Sequence, residues 1–243
     1  MKHLFQLLAF SFIAVGTIHS QSTSSEVKIQ GAMKNVMRKG ELHGTIKLDT
    51  IQSKSNLYGL GPLEYLKGEL LVYNGISYVS KVSTNGTVLI EKTYQVQAPF
   101  FVYSNVETWI EINLPKNIRT LQQLENFLNV YTQNMIRPFA FRLEGEFELV
   151  KFHIQNLPDN SIIRSPEDAH VGQGKYSRMP VKGKILGFFS TEHQTIFTHH
   201  DSYIHMHFIN ELETEMGHID DLLIQPKGKV KLYLPSNIKG MNK

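Results

Sequence analysis

Two histidines stand one residue apart in residues 203–209, an otherwise apolar and β-prone run of the chain. Successive side chains of a strand point to opposite faces, so His205 and His207 share one face. His218 follows a turn-rich segment, and a hairpin there would bring it beside them. Three neutral imidazoles with one open position form a catalytic zinc arrangement, which other divalent metals also use. The pattern therefore predicts a metal centre with His205, His207 and His218 as its ligands.

Other candidate ligands near this run carry weaker signals. Glu211 has the same strand parity as His207, so it is a possible fourth ligand if the strand continues that far. His199 and His200 are adjacent and would face opposite ways on a strand, which favours a solvent-exposed loop for both. The chain has no cysteine, so a thiolate zinc site is excluded.

The first twenty residues have the layout of a secretory signal peptide. A basic start precedes an apolar run over residues 4–18, which is too short to span a bilayer comfortably. We expect cleavage after Ser20 and export to the periplasm or the exterior. No second apolar run of membrane length follows, so no membrane span is expected once the signal is removed.

The charge of the chain limits the kinds of partner it can bind, and its hydropathy pattern indicates the fold class. The formal net charge is +3, and no dense cluster of Lys and Arg is present, which argues against a nucleic-acid partner. Thr120 is a plausible N-cap for the clearest helix, over residues 120–132. Strand-like segments cover residues 68–72, 76–82, 87–90, 100–106, 108–112, 139–154, 181–189, 203–210, 219–224 and 229–234. The pattern predicts a strand-rich α+β protein.

The long polar stretch of residues 157–180 contains three prolines and is predicted to link two halves of the chain. Residues 21–156 would form an N-terminal α+β part. Residues 157–243 would form a C-terminal β part that carries the histidine trio. This division places the predicted metal ligands in the second half.

Two charged residues in strand-like segments are candidates for chemistry. Glu69 stands at the head of an apolar strand, where a carboxylate must be exposed, paired or functional, and the exposed interpretation is favoured. Arg142 lies between Phe141 and Leu143. It could bind a carboxylate with two parallel hydrogen bonds, or form an ion pair with Glu144 on its own strand.

Several segments together resemble the α-acetolactate decarboxylase family. The matching stretches are MRKGELHG at residues 37–44, YGLGPLEYLKGEL at 58–70, APF at 98–100, FAFRLEGEF at 139–147 and VKGKILGF at 181–188. The helix from Leu121 and the spacing of the histidine trio complete the match. The trio is the most specific of these features, and the others follow in the same order along nearly the whole chain after residue 20.

The resemblance implies an enzyme that converts 2-acetolactate into acetoin and CO2. It implies Zn²⁺ held by the histidine trio, with Glu69 near the metal and Arg142 holding the small hydroxy-keto acid substrate. It also implies a mixed β-sheet in the N-terminal part, a barrel-like β C-terminal part, and the metal site between them. The sequence leaves a homodimer open.

Two departures from the family pattern keep other interpretations open. The family usually has a further active-site Glu in a C-terminal tail, whereas this chain has no Glu after Glu215, and Pro62 stands where Thr is common. A decarboxylase-like protein that binds a metal or a hydroxy acid without turnover is therefore one alternative. The other is a cupin-like iron or manganese enzyme that uses Glu211 as a ligand.

Overall fold

The computed structural model describes residues 25–225 and 229–236, and the predicted signal peptide lies outside this part of the chain. Three helices are present within these residues: α1 (Met33–Lys39), α2 (Leu121–Tyr131) and α3 (Pro166–Ala169). None of them is long and apolar enough to cross a membrane. Two short 3-10 helices cover Leu48–Thr50 and Glu64–Leu66. Strands account for most of the remaining regular structure, which confirms the strand-rich α+β class.

The first sheet has six strands and is built from the N-terminal half of the chain. Its strands, numbered in chain order over the whole protein, are β1 (Lys28–Gly31), β3 (Leu57–Pro62), β4 (Glu69–Tyr73), β5 (Ile76–Val82), β6 (Val88–Lys92) and β8 (Phe100–Asn105). They lie in the order β1-β8-β3-β4-β5-β6, and neighbouring strands are antiparallel. The β4–β5 connection is a tight hairpin turn, in which Asn74 and Gly75 both have positive φ, as is usual for an Asn-Gly pair. A separate pair joins β2 (Ile46–Lys47) to β7 (Gln97–Ala98).

The second sheet has seven strands and closes into a small barrel. Its members are β9 (Trp109–Ile112), β10 (Phe139–Ile154), β11 (Gly174–Arg178), β12 (Val181–Phe189), β13 (Ile204–Asn210), β14 (Met216–Ile224) and β15 (Val230–Pro235). Strand β10 is 16 residues long, and its first part pairs with β12 while its second part pairs with β14. Since β12 also pairs with β13 and β13 with β14, these four strands form a closed ring.

The alternation of side chains along the barrel strands decides which residues face the first sheet. Met206 and Phe208 point into the barrel and pack with Phe141 and Phe152 in its apolar interior. His205 and His207 alternate with them and therefore point outward. A second apolar cluster fills the space between the barrel and the first sheet, with Leu60, Leu71 and Val102 from the sheet and Leu186, Phe188 and Met216 from the barrel. The histidines thus lie between the two sheets.

The chain passes from the first sheet to the second earlier than the predicted boundary at residue 156. Strands β9 and β10 precede residue 157 but belong to the second sheet, so the predicted division at residue 156 does not coincide with the division between the sheets. The segment predicted as a link contains α3 and β11. Ser165 and Asp168 form a capping box around Pro166, and Ala169 is buried against the N-terminal α1. The segment of residues 157–180 therefore contains regular structure of its own.

Helix α2 begins as predicted, at a Thr120 cap. The Thr120 hydroxyl accepts a hydrogen bond from the Gln123 backbone N–H, and the Gln123 side chain accepts from the Thr120 N–H. We expect Thr120→Ala to lower the free energy of unfolding by about 1 kcal/mol, because the Gln123 N–H loses the hydroxyl that accepts its hydrogen bond. Urea denaturation would measure this loss. An unchanged midpoint would show that water replaces the cap without cost.

Candidate metal centre

Three histidines converge on the outer face of the barrel, as the spacing predicted. His207 on β13 lies directly opposite His218 on β14, and His205 lies two residues before His207 on the same face. The ring centroids are 5.1 Å apart for His205 and His207, 4.8 Å for His205 and His218, and 5.5 Å for His207 and His218. One nitrogen from each ring lies within 4.8 Å of the others, and all three side chains are buried.

Burial keeps the three imidazoles neutral, which is the form that binds a metal. Desolvation is the main cause that lowers the pKa of His205 and His218 well below the ordinary value, and neighbouring histidines lower it further. The same desolvation lowers the pKa of His207 to about 3. Both ring nitrogens of His207 and the Nδ1 of His205 are buried without a hydrogen-bond partner among the described residues. Such orphaned nitrogens fit a site that takes a divalent cation.

The lowered pKa values predict acid sensitivity for the metal-free protein. Below about pH 6.5 the unfolded chain protonates these histidines while the folded chain keeps them neutral, so stability falls as pH falls. Each such histidine removes about 1.4 kcal/mol per pH unit until its folded pKa is reached. We expect His207→Gln to reduce the slope of the unfolding free energy against pH, between pH 6.5 and 5, by up to about 1.4 kcal/mol per pH unit, because one proton fewer is taken up on unfolding. Urea denaturation of chelator-treated protein measures this, and equal slopes for wild type and variant would contradict it.

Glu69 lies beside the histidines, so the expectation that it is exposed was wrong. It begins β4 in the first sheet and has 2 % exposure. Its Oε2 is 3.6 Å from Nε2 of His207, and its Oε1 accepts a hydrogen bond from the Gln155 backbone N–H at 3.2 Å. Burial raises the pKa of the Glu69 carboxyl well above its usual range. The position agrees with what the family resemblance implied, although its catalytic role stays a prediction.

Arg142 lies in different surroundings from the histidines. Leu186 on β12 separates it from His207 in the strand register. Its guanidinium lies between the rings of Trp109 and Tyr233, and its Nη1 is 3.3 Å from Oε1 of Glu144. The ion pair with Glu144, which the sequence left open as the alternative, is therefore present. The structure does not bring Arg142 to the histidine cluster, and its predicted role in holding substrate stays untested.

His153 is a site residue that the sequence analysis missed. It lies opposite His218 in the β10–β14 pairing, so His207, His218 and His153 form one row across three strands. Its Nε2 is 4.0 Å from Oε1 of Glu69, and its Nδ1 is 2.6 Å from Oδ1 of Asp220. His153, His218 and Asp220 also form a second group with a spacing that could hold a metal ion. Only the pairing of β10 with β14, which no local signal specifies, reveals this neighbour.

The remaining sequence candidates divide between the site and the surface. His199 lies in a loop, as expected, but it is half-buried and its ring lies 5.2 Å from that of His218, so the expected solvent exposure was wrong. His200 is exposed, as expected. Glu211 lies after the end of β13, is exposed, and lines a surface groove with Glu144 and Lys229. The strand ends before it, so Glu211 does not join the histidines as the cupin-like interpretation requires.

Two cavities share His199 and His218. The narrow one has a volume of about 20 Å³, and its polar lining includes Glu69, His153 and His205. This space holds about one water molecule or one small ion. The wide one has a volume of about 300 Å³ and is lined by apolar side chains that include Leu121 and Met206, and by the carboxylates of Glu125, Asp201 and Asp220. The wide cavity is large enough for a small organic molecule.

Known proteins share this fold or are similar in sequence. The fold resembles the crystal structure of alpha-acetolactate decarboxylase from Bacillus subtilis strain 168, with a TM-score of 0.67 and 20 % identity over 86 % of this chain and 83 % of that one. Proteins named alpha-acetolactate decarboxylase are similar in sequence. The one from Methanosarcina mazei is 24 % identical over 88 % of this chain and 72 % of its own length. The one from Lactococcus lactis is 26 % identical over 76 % of this chain and 75 % of its own.

The fold and the outward-facing histidine cluster thus define a protein with one open sheet, one closed barrel and a candidate metal site between them. The family model for alpha-acetolactate decarboxylase matches residues 27–239, and the chain belongs to this family. The resemblance predicted from the sequence segments is confirmed.

Proposed function

We propose that the protein decarboxylates 2-acetolactate to acetoin and CO2, with Zn²⁺ held by His205, His207 and His218. The observation that carries the proposal is the convergence of three buried, neutral imidazoles beside a buried carboxyl group, in a chain of this family. The unpartnered nitrogens of His205 and His207 fit a divalent ion. When bound there, such an ion supplies Lewis-acid stabilisation of the negative charge that develops on substrate oxygen as CO2 leaves.

Glu69 is the residue that we propose returns a proton to carbon after CO2 departs. Burial raises the pKa of the Glu69 carboxyl well above its usual range, which favours the protonated form that a general acid needs, and the Gln155 N–H donates a hydrogen bond to its Oε1. Its Oε2 faces His207, so the acid stands next to the proposed metal position. Because Glu69 is almost fully buried, bulk water does not compete for the site where the proton is delivered.

The experiment uses the purified protein with zinc restored after chelation. We expect acetoin formation from 2-acetolactate well above the protein-free background, and metal analysis that gives one zinc per chain. Zinc binding without acetoin, together with tight binding of a hydroxy acid, would reject the enzyme and support the non-catalytic alternative. The position of Arg142 away from both cavities supports that alternative.

Export through the predicted signal peptide stays part of this proposal. Comparison of the N-terminal residue of the secreted protein with Gln21, the first residue after the expected cleavage point, would test it.

A further inference from the structure

Two histidine rings form the wall between the wide cavity and the narrow one. His199 and His218 line both cavities, whereas Asp220 lines only the wide one and His205 only the narrow one. The wide cavity has a volume of about 300 Å³ and the narrow one about 20 Å³, so a hydrated ion has room only on the wide side. No member of the trio is more than 8 % exposed. The route from the wide cavity to the trio therefore passes His218.

The lining of the wide cavity attracts cations. It includes the carboxylates of Glu125, Asp201 and Asp220, and among the described residues no Lys or Arg lines it. Asp201 is exposed, and the Asp220 side chain is 41 % exposed. A cleft lined by charges of one sign concentrates the opposite ion and can raise association rates by about 10–10³-fold. A divalent cation is therefore drawn to this cavity before it reaches the trio.

His153, His218 and Asp220 supply a set of ligands at the wall itself. One ligand atom from each lies within 4.8 Å of the others. His153 lies opposite His218 in the β10–β14 pairing, and the two ring centroids are 4.7 Å apart. Two imidazoles and one carboxylate form a ligand set that divalent transition metals accept. Because an ion loses its water at high cost in a buried site, such a set can replace the lost waters before the ion reaches the trio.

An irregularity in the β10–β14 pairing places the carboxylate of this set. The register shifts between Lys151 and Phe152, which pair with Asp221 and Ile219 respectively, so Asp220 has no opposite residue. Extra residues of this kind re-aim a side chain. Here Oδ1 of Asp220 comes within 2.6 Å of Nδ1 of the buried His153. The bulge thus puts a partly exposed carboxylate beside a buried imidazole, one on each side of the wall.

We propose that His153, His218 and Asp220 form a second divalent-cation position, which Zn²⁺ occupies on its way between the wide cavity and the trio. The inference rests on the part of the proposed function that places Zn²⁺ at the trio. His218 belongs to both ligand sets, so the ion exchanges its other ligands while His218 remains close. A neutral imidazole has one free lone pair, so the two positions are filled one at a time and the chain holds one zinc. A transit position lowers the barrier in both directions, so it speeds uptake and release equally and leaves the affinity of the trio unchanged.

The test measures the release of zinc from the zinc-loaded protein into an excess of a colorimetric zinc chelator, at concentrations where the rate no longer depends on the chelator. We expect Asp220→Asn to slow release by about tenfold or more, because the carboxylate ligand becomes a neutral amide. Uptake of Zn²⁺ by the metal-free variant should slow by the same factor, and the equilibrium affinity should stay within about twofold of the wild type. His153→Gln should show the same pattern. If His153→Gln is poorly folded, Asp220→Asn carries the test, since its side chain is partly exposed.

Two aspartates of the chain are matched controls. Asp201→Asn removes a carboxylate from the same cavity but from outside the ligand set, so it should change either rate by less than about threefold, through charge alone. Asp221→Asn changes the next residue of the strand, which pairs with Lys151 at the surface, and should leave both rates unchanged. Zinc content should remain at one per chain in every variant.

The outcomes separate this position from the proposed function. Faster release with weaker affinity in Asp220→Asn would show that Asp220 and His153 only support His218, because loss of a supporting contact loosens a metal ligand. Unchanged rates, or equal slowing in Asp201→Asn, would also overturn the second position and leave the trio and the decarboxylase proposal standing. A wild-type protein that retains no zinc would overturn the trio and the second position together. The expected zinc kinetics without any acetoin would overturn the enzyme and leave the second position standing.

Discussion

Replacement of His207 by glutamine is expected to abolish both zinc retention and acetoin formation. His207 is fully buried, and its ring nitrogen is one of the three that converge with those of His205 and His218. Loss of a residue that merely supports a metal ligand typically costs 10–100-fold in metal affinity, so removal of a ligand itself should cost roughly 100-fold or more. Acetoin formation should then fall to the protein-free background.

Fold and metal binding can be separated in this variant. Glutamine removes an imidazole with two unpartnered buried nitrogens, so the metal-free variant should be about as stable as the metal-free wild type. The wild type should gain melting temperature when zinc is added, and His207→Gln should not. His200→Gln, at an exposed position, is the control that should keep zinc and activity. Full zinc occupancy in His207→Gln would show that the trio is not the metal site.

Replacement of Glu69 by glutamine is expected to have the second largest effect, on turnover alone. Glutamine keeps the size of the side chain and an oxygen for the Gln155 N–H, but it cannot release a proton to carbon. We expect kcat to fall by about 10²–10⁴-fold, the usual contribution of a general acid. Zinc content and binding of 2-hydroxyisobutyrate, an unreactive hydroxy acid, should remain within about twofold of the wild type, because the three proposed metal ligands are retained.

The stability of Glu69→Gln gives an independent check on the raised pKa. Since burial raises the folded pKa of Glu69, the unfolded chain ionises first as pH increases, and the wild type loses stability as pH rises above about 4.5 through the folded pKa. Glutamine has no such loss, so the variant should gain stability relative to the wild type over this pH range in the metal-free state. Urea denaturation at pH 5 and pH 7 would measure the difference.

A matched control and a contrary result sharpen this prediction. Glu211→Gln changes an exposed carboxylate in a turn near the histidine strand and should leave kcat unchanged. Glu69→Gln with normal kcat would show that another group supplies the proton. Loss of zinc in Glu69→Gln would show that Glu69 is itself a metal ligand. The proposal has Glu69 act only as an acid, 3.6 Å from Nε2 of His207.

The strand that carries two of the histidines was predictable because its geometry is local. Alternation along β13 places His205 and His207 on one face, and the short return to β14 brings His218 opposite His207. The Thr120 cap and the Asn74-Gly75 turn were predictable for the same reason, since each depends on neighbouring residues.

The errors arose where the environment of a side chain depends on distant strands. Glu69 looked exposed because an acidic residue at the head of a strand usually is, yet β4 packs against the barrel face that carries His207. Arg142 was predicted to hold substrate or to pair with Glu144, and it pairs with Glu144 beside aromatic rings from β9 and β15, while its role toward substrate stays a prediction. His199 looked like a loop residue in solvent, yet its ring reaches His218.

The sequence by itself determined the family and the trio of histidines. It also determined the strand-rich class, because period-2 patterns and turn residues act over a few positions. Only the tertiary structure decided which residues surround the trio. Closure of the barrel along the long β10 brought His153 to His218, a register shift turned Asp220 toward it, and packing of the first sheet buried Glu69. These contacts join positions more than 60 residues apart, and no local preference of the chain specifies such pairings.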